Sequence, residues 1–174
     1  MLNLHRLIGF ASMTVLMASH EALATPAEEA KVAAVISAVA VYADNRDFTT
    51  LEGFFAPETL IDYTSLWGGE ARRLTPRELM AAWSGLLPGF DATRHQLSDI
   101  NVELDGEQAI AAATVTATHW LENATWTVSG TYDYVLVRRG SQWRVSAMTF
   151  HLADENGDRG LVQKAADRID EKAQ

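Results

Sequence analysis

From Arg94 to Leu152 the sequence alternates between apolar and polar residues almost without a break. A chain that alternates for so long has to place those residues in strands, where successive side chains point to opposite faces. Four runs can be separated, near Arg94 to Leu104, Gln108 to Leu121, Thr125 to Arg138 and Trp143 to Leu152. Their connections are short: Asp105-Gly106, Glu122-Asn123-Ala124 and Arg139-Gly140-Ser141. Asp-Gly and Arg-Gly-Ser are tight-turn sequences, so the four strands are expected to pair as an antiparallel meander.

Helical patterns precede the strands. From Pro26, residues Ala30, Val32, Ala33, Val35, Ile36, Val39 and Ala40 are apolar at helical spacing with no internal glycine or proline, which predicts a long buried helix. It runs out at Tyr42-Ala43-Asp44-Asn45-Arg46-Asp47, where Asp47 can cap a short second helix through Phe54. Leu60-Ile61-Asp62-Tyr63 reads as a short strand. Thr75-Pro76-Arg77-Glu78 combines a cap residue, a proline at the first helical position and a glutamate at the third, so a helix is expected from Pro76 to about Leu86. Leu161, Ala165 and Ile169 recur every four residues and predict a weakly amphipathic helix in the tail. Helices first and long strands afterwards make an α+β fold with the helices packed on one face of the sheet.

The 174 residues suffice for one domain with a sizeable core. A net charge of -9 repels a phosphate backbone or an anionic membrane, so no nucleic acid is expected as partner. With no cysteine there are no disulfides, thiolate nucleophiles or cysteine metal sites. At the N-terminus His5 and Arg6 precede the apolar stretch Leu7 to Ala18, and a small-residue exit follows at Ala22-Leu23-Ala24. That is a signal-peptide layout, and the stretch is shorter than the roughly 20 residues that span a bilayer. The expected organisation is a signal peptide over 1–24, one domain over 25–154 and a polar C-terminal helix or tail over 155–174. The mature chain would then start at Thr25, secreted or periplasmic, with no stable membrane span.

The strand parities point to a cavity. Ala109, Ala111, Ala113, Val115, Ala117 and His119 share one face, while Ile110, Thr114, Thr116, Thr118 and Trp120 share the other. A row of small residues on the covered face of a curved sheet leaves room. The next strand places Trp126, Val128, Gly130, Tyr132 and Tyr134 on one parity, so Tyr132, Trp126, Val115 and Val128 are the expected binding walls for a small apolar molecule. Asp44 stands at the C-terminal end of the long helix, where the helix dipole disfavours a negative charge. Stability alone would not select it there, and a carboxylate paired with a histidine is a recurring general-base arrangement. The strands supply His95 and His119.

The run Tyr42-Ala43-Asp44-Asn45-Arg46-Asp47, then Ala56-Pro57, Ile61-Asp62-Tyr63, Thr93-Arg94-His95, His119 and Gln142-Trp143-Arg144-Val145 resembles the SnoaL-like, or nuclear-transport-factor-2-like, superfamily, and within it the scytalone dehydratase pattern. The resemblance extends from about Lys31 to Phe150 and implies a cone-shaped curved antiparallel β-sheet covered by N-terminal helices, with a pocket opening at the wide end. It implies that Asp44 orients His95, that His95 moves the substrate proton, that Tyr63 helps polarise a substrate carbonyl through water, and that His119 is a second active-site histidine. Two features depart from the dehydratases. The tyrosine that precedes their aspartate is Ala43 here, and a serine and an asparagine of the late strand are Gly130 and Tyr132, which argues against scytalone itself as substrate.

Other motifs fail on their own chemistry. Asp154-Glu155-Asn156-Gly157-Asp158-Arg159 has arginine where a calcium loop needs glycine and Ala165 where it needs the closing glutamate, so it reads as a solvated turn. Asn123-Ala124-Thr125 fits a glycosylation sequon but is common by chance. His95, His119 and His151 lack local metal-ligand spacing, no metal is expected, and His151 reads as a strand-end surface residue. No phosphate loop or nucleophile elbow occurs. Two functions follow: a cofactor-independent lyase or isomerase, of dehydratase type, in which Asp44 and His95 take a proton beside a carbonyl and Tyr63 or His119 stabilises the oxyanion, or a secreted binding module using the same cavity. A third is an assembly protein working through its sheet face, where relatives commonly form homodimers.

Overall fold

The computed structural model describes residues 26–172. The expected signal peptide and the start at Thr25 lie outside the described residues. Helix α1 (Pro26–Asp44) leads into α2 (Phe48–Glu52), β1 (Phe55–Asp62), α3 (Thr64–Trp67), β2 (Arg72–Leu74) and α4 (Pro76–Ser84). A single 3₁₀ turn (Leu87–Gly89) then precedes β3 (Ala92–Asp105), β4 (Gln108–Leu121), β5 (Ala124–Arg139) and β6 (Gln142–Gly157), and α5 (Leu161–Lys172) follows. The strands form one curved, unclosed six-stranded sheet in the order β2-β1-β6-β5-β4-β3.

The local signals act where the sequence places them. Asp47 accepts a hydrogen bond from the Thr50 amide and caps α2. Thr75 and Glu78 form a reciprocal capping box, with proline at the start of α4. The long helix is buried on one side only, through Val32, Ile36, Val39 and Ala43, because their spacing of four and three residues keeps them on one stripe. Val41, off that stripe, is 53% exposed.

Three features exceed the sequence expectation. β1 runs parallel to β6, so the central strand of the sheet pairs with an element some ninety residues away and no hairpin turn announces it. β6 continues through Asp154, Glu155 and Asn156, which pair with Ser129, Val128 and Thr127, where a solvated turn was expected. The alternation weakens there because both faces of the strand end are partly exposed. The tail helix is docked: Leu161 and Ala165 are buried, and the backbone carbonyl of Ala165 sits where a side chain on Gly89 would stand, 2.0 Å from an added Cβ. Arg168 joins the contact by donating to the Gly89 carbonyl and the Asp91 carboxylate.

Irregularities in pairing bend the sheet. The register shifts between Ser98 and Asn101, between Ser129 and Gly130 and between Val135 and Leu136. Such extra residues increase local twist and curl a sheet away from flatness. Gly130 is required at its bulge, since a Cβ there would lie 1.9 Å from the His151 carbonyl oxygen. Gly130→Ala should therefore cost about 2–3 kcal/mol, an overpacking penalty, read as a lower urea midpoint with the slope of the transition unchanged.

Candidate active site

Helix α1 ends in a motif that fixes Asp44. The Asp47 amide donates to the Tyr42 carbonyl (3.0 Å) and the Arg46 amide to the Ala43 carbonyl (3.1 Å), while Arg46 takes φ 59°. This double closure satisfies the helix's last carbonyls. A glycine would usually occupy the left-handed position, and a non-glycine residue there costs on the order of 1–2 kcal/mol. Arg46 uses it to reach across: its Nη2 donates to the Phe90 carbonyl at 2.6 Å, hooking the helix end onto the entry to β3.

Asp44 then meets β3 side-on. Its Oδ1 accepts from Thr93 Oγ1 (2.9 Å) and lies 2.6 Å from His95 Nδ1, and its Oδ2 accepts from the His95 amide (2.7 Å). Burial opposes the charge and is the largest single influence, but His95, through its ring and its amide, and Thr93 together hold the carboxyl below its ordinary value. Because an ionised carboxylate only accepts, the His95 proton in this bond sits on Nδ1. Thr93 was named in the sequence only as part of a motif; its place two residues before His95 on one strand face is the signal that could have identified it.

His119 is 5% exposed and packed between rings: Phe90 at 4.9 Å, Trp126 at 4.7 Å and His95 at 5.7 Å between centroids. Burial, reinforced by the neighbouring His95, lowers its pKa to about 4. Its Nδ1 is 3.3 Å from the Trp126 carbonyl, and a carbonyl can only accept, so Nδ1 carries the proton and Nε2 keeps a lone pair. His119 can therefore receive a hydrogen bond in its neutral state but cannot offer one from Nε2 to an oxyanion.

Tyr63 follows β1 and heads α3. Its ring meets Tyr132 and Phe150, each at 6.4 Å between centroids. Burial, with the adjacent Tyr132, holds the Tyr63 phenol far above its ordinary pKa, and burial likewise raises Tyr132 to about 12. Both remain neutral hydroxyls.

These groups surround one cavity of about 400 Å³. His95, His119, Tyr63, Tyr132, Trp126 and Val128 line it; Asp44 stands behind His95, outside the wall. Val115 shares the inward face and is 1% exposed, yet it packs in the core and contributes nothing to the wall. The parity expectation places the other residues well: Thr116 and Thr118 lie on the opposite face, where Thr118 accepts from Thr127 Oγ1. Sequence reasoning missed the walls supplied by α4 (Leu79, Trp83) and β6 (Met148, Phe150), because which helix face covers the sheet is a tertiary outcome. Trp67, Gly68, Glu70 and Arg72 are lining residues that are also exposed, and they mark the mouth. His151 pairs with Asp133 on the exposed surface at 2.9 Å, away from the cavity lining.

The buried imidazole makes stability depend on acid. The folded pKa of His119 lies below the unfolded one, so the unfolded chain binds more protons between the two. Stability is thus full above about pH 6.5 and declines as pH falls toward 4, by roughly 3 kcal/mol from this group. The depressed Asp44 adds in the same direction at still lower pH. Denaturant titrations at pH 7 and pH 4.5 should show a large loss for the wild type and a much smaller one for His119→Phe.

Comparison with known structures follows the same outline. The Kfla4162 protein from Kribbella flavida superposes with a TM-score of 0.75 at 26% identity, covering 79% of this chain and 97% of that one. A candidate scytalone dehydratase from Novosphingobium aromaticivorans DSM 12444 gives 0.63 at 15% identity, over 75% and 87%. Hexachlorocyclohexane dehydrochlorinase LinA-type3 from Novosphingobium barchaimii LL02 gives 0.65 at 14%, over 77% and 92%. No curated protein matches the sequence. The model of the SnoaL-like domain matches residues 25–149, and the chain belongs to that family.

Proposed function

We propose that the protein is a cofactor-independent acid-base enzyme of dehydratase or isomerase type, acting on a small, largely apolar molecule that carries a carbonyl. The observation that carries this reading is the 2.6 Å contact between His95 Nδ1 and Asp44 Oδ1 at the wall of an aromatic cavity. With Nδ1–H committed to the carboxylate, Nε2 is the nitrogen left for substrate. It takes the proton from the carbon beside the carbonyl, and Asp44 stabilises the imidazolium so formed. The electrons of the broken C–H bond move onto the carbonyl oxygen, where the neutral phenol of Tyr132, polarised by the hydrogen bond it accepts from Tyr63, is the available donor. In an isomerisation the proton returns to another carbon; in a dehydration the enolate expels a β-hydroxyl, which leaves as water with the proton from His95. His119 Nε2 accepts from a substrate hydroxyl or a water and so helps to orient it. The resemblance in fold to a dehydrochlorinase and to a candidate scytalone dehydratase supports an elimination chemistry.

The N-terminal layout supports action after export, and the family match begins at Thr25, just beyond the expected cleavage point. The intact mass of exported protein checks this; retention of Met1 would oppose it.

The chemistry can be tested without the natural substrate. In D₂O the wild type should speed exchange of the α-protons of small bicyclic ketones such as 2-tetralone, followed by ¹H NMR. His95→Gln should lower that rate by roughly 10²–10⁴-fold, and Asp44→Asn should lower it as well, with the fold retained. Asp44→Asn is expected to cost about 1–3 kcal/mol of stability, since one donor loses its acceptor. Ketone binding with exchange no faster than the solvent background would identify a binding module instead.

A further inference from the structure

The C-terminal segment beyond the family-matched region reaches back to the mouth of the cavity. Arg159, in the turn between β6 and α5, makes three contacts there. Its Nε donates to Glu155 Oε1 at 2.7 Å, its Nη2 donates to the Leu66 carbonyl at 2.7 Å, and its guanidinium lies 5.2 Å from the centre of the Trp67 ring. The same Glu155 oxygen accepts from Trp126 Nε1 at 2.7 Å. Trp67 and Trp126 both line the cavity, with ring centroids 5.7 Å apart.

We infer that Arg159 and Glu155 form a clamp that sets the width of the cavity mouth and thereby the size of molecule admitted. Helix α3 is a single turn: Tyr63 heads it, and Trp67 ends it at the mouth. Its last carbonyls have few partners inside so short a helix, and the Arg159 bond to Leu66 supplies one. Beyond Trp67 the Gly68 amide closes the turn by donating to the Thr64 carbonyl at 2.8 Å, but Gly68 and Gly69 stand at φ 71° and 77° with nothing within 4 Å of where a side chain would begin, so little packs against the chain there. On the other side, Glu155 holds the Trp126 indole, which packs at a 36° tilt against the His119 ring, and the Trp126 backbone carbonyl fixes the His119 tautomer. One arginine thus ties the mouth helix to the strand that seats the histidine. Only a planar guanidinium can bond through two nitrogens in different directions while stacking on an indole; an ammonium cannot.

This inference rests on the cavity being the substrate site and is independent of the proton chemistry there. The test uses two unreactive aromatic alcohols of different width, 2-naphthol and 1-pyrenol, with affinities and release rates measured by fluorescence and stopped flow. The wild type should bind 2-naphthol in preference. Arg159→Ala should shift the ratio of affinities toward 1-pyrenol by roughly fivefold or more and release 2-naphthol faster by a similar factor, and Arg159→Lys should not rescue either. The surface control Lys164→Ala, whose partner Asp158 is 3.8 Å away, should leave both unchanged. Repeating the measurements in the His95→Gln background should give the same shift, which separates the mouth from the reaction. If Arg159→Ala fails to fold, Arg159→Lys and Glu155→Gln carry the comparison. Ratios within about twofold of wild type in the folded clamp variants, full rescue by lysine, or no binding of either alcohol by the wild type would overturn the inference.

Discussion

A carboxylate at the C-terminal end of a half-buried helix faces both the helix dipole and the loss of water, and it stays charged only where donors are built around it. Asp44 has three: the Thr93 hydroxyl, the His95 amide and the His95 ring. Those bonds join the first helix to the third strand across some fifty residues of sequence. The way α1 stops, with Arg46 in the left-handed region and hooked to Phe90, serves the same junction.

The cavity has a different origin. Of the small residues on the inner face of β4 only Ala117 borders it, Ala109, Ala111 and Ala113 being packed in the core; the bulges at Ser98–Asn101 and at Gly130 curl the sheet, and the aromatic residues of β5 and β6 stand as walls around the volume left over. Around it the titrating groups are pushed apart: Asp44, behind the wall, stays ionised, while His119 stays neutral and Tyr63 and Tyr132 stay protonated. The His95 ring, the His119 lone pair and the neutral phenols thus face one volume, and burial is what keeps His119 and the phenols uncharged there.

Much of this was legible in the residues because it depends on local chemistry. The capping box at Thr75, the Asp47 cap, the glycine turns and the period-two strands are short-range signals, and they place α2, α4 and the meander. The inward parity of His119, Trp126, Val128 and Tyr132 follows from the same alternation. What was not legible depends on contacts between distant segments. The parallel β1–β6 pair has no turn to mark it. The end of β6 looked like a charged loop because its pairing partner lies on β5. Val115 has the right parity for the cavity and packs in the core, since alternation selects a face and not a position along it. Asp44 was readable as an anomaly from its place on the helix, whereas its partner His95 came from a family resemblance and not from spacing.

The bond between Asp44 and His95 is the claim on which the functional reading turns, and ring-nitrogen NMR of ¹⁵N-histidine protein observes it directly. The account predicts that at neutral pH His95 carries its shared proton on Nδ1, with a strongly downfield resonance that is lost or moved far upfield in Asp44→Asn. A His95 ring with its proton on Nε2 and a bare Nδ1, or a spectrum unchanged by Asp44→Asn, would contradict it.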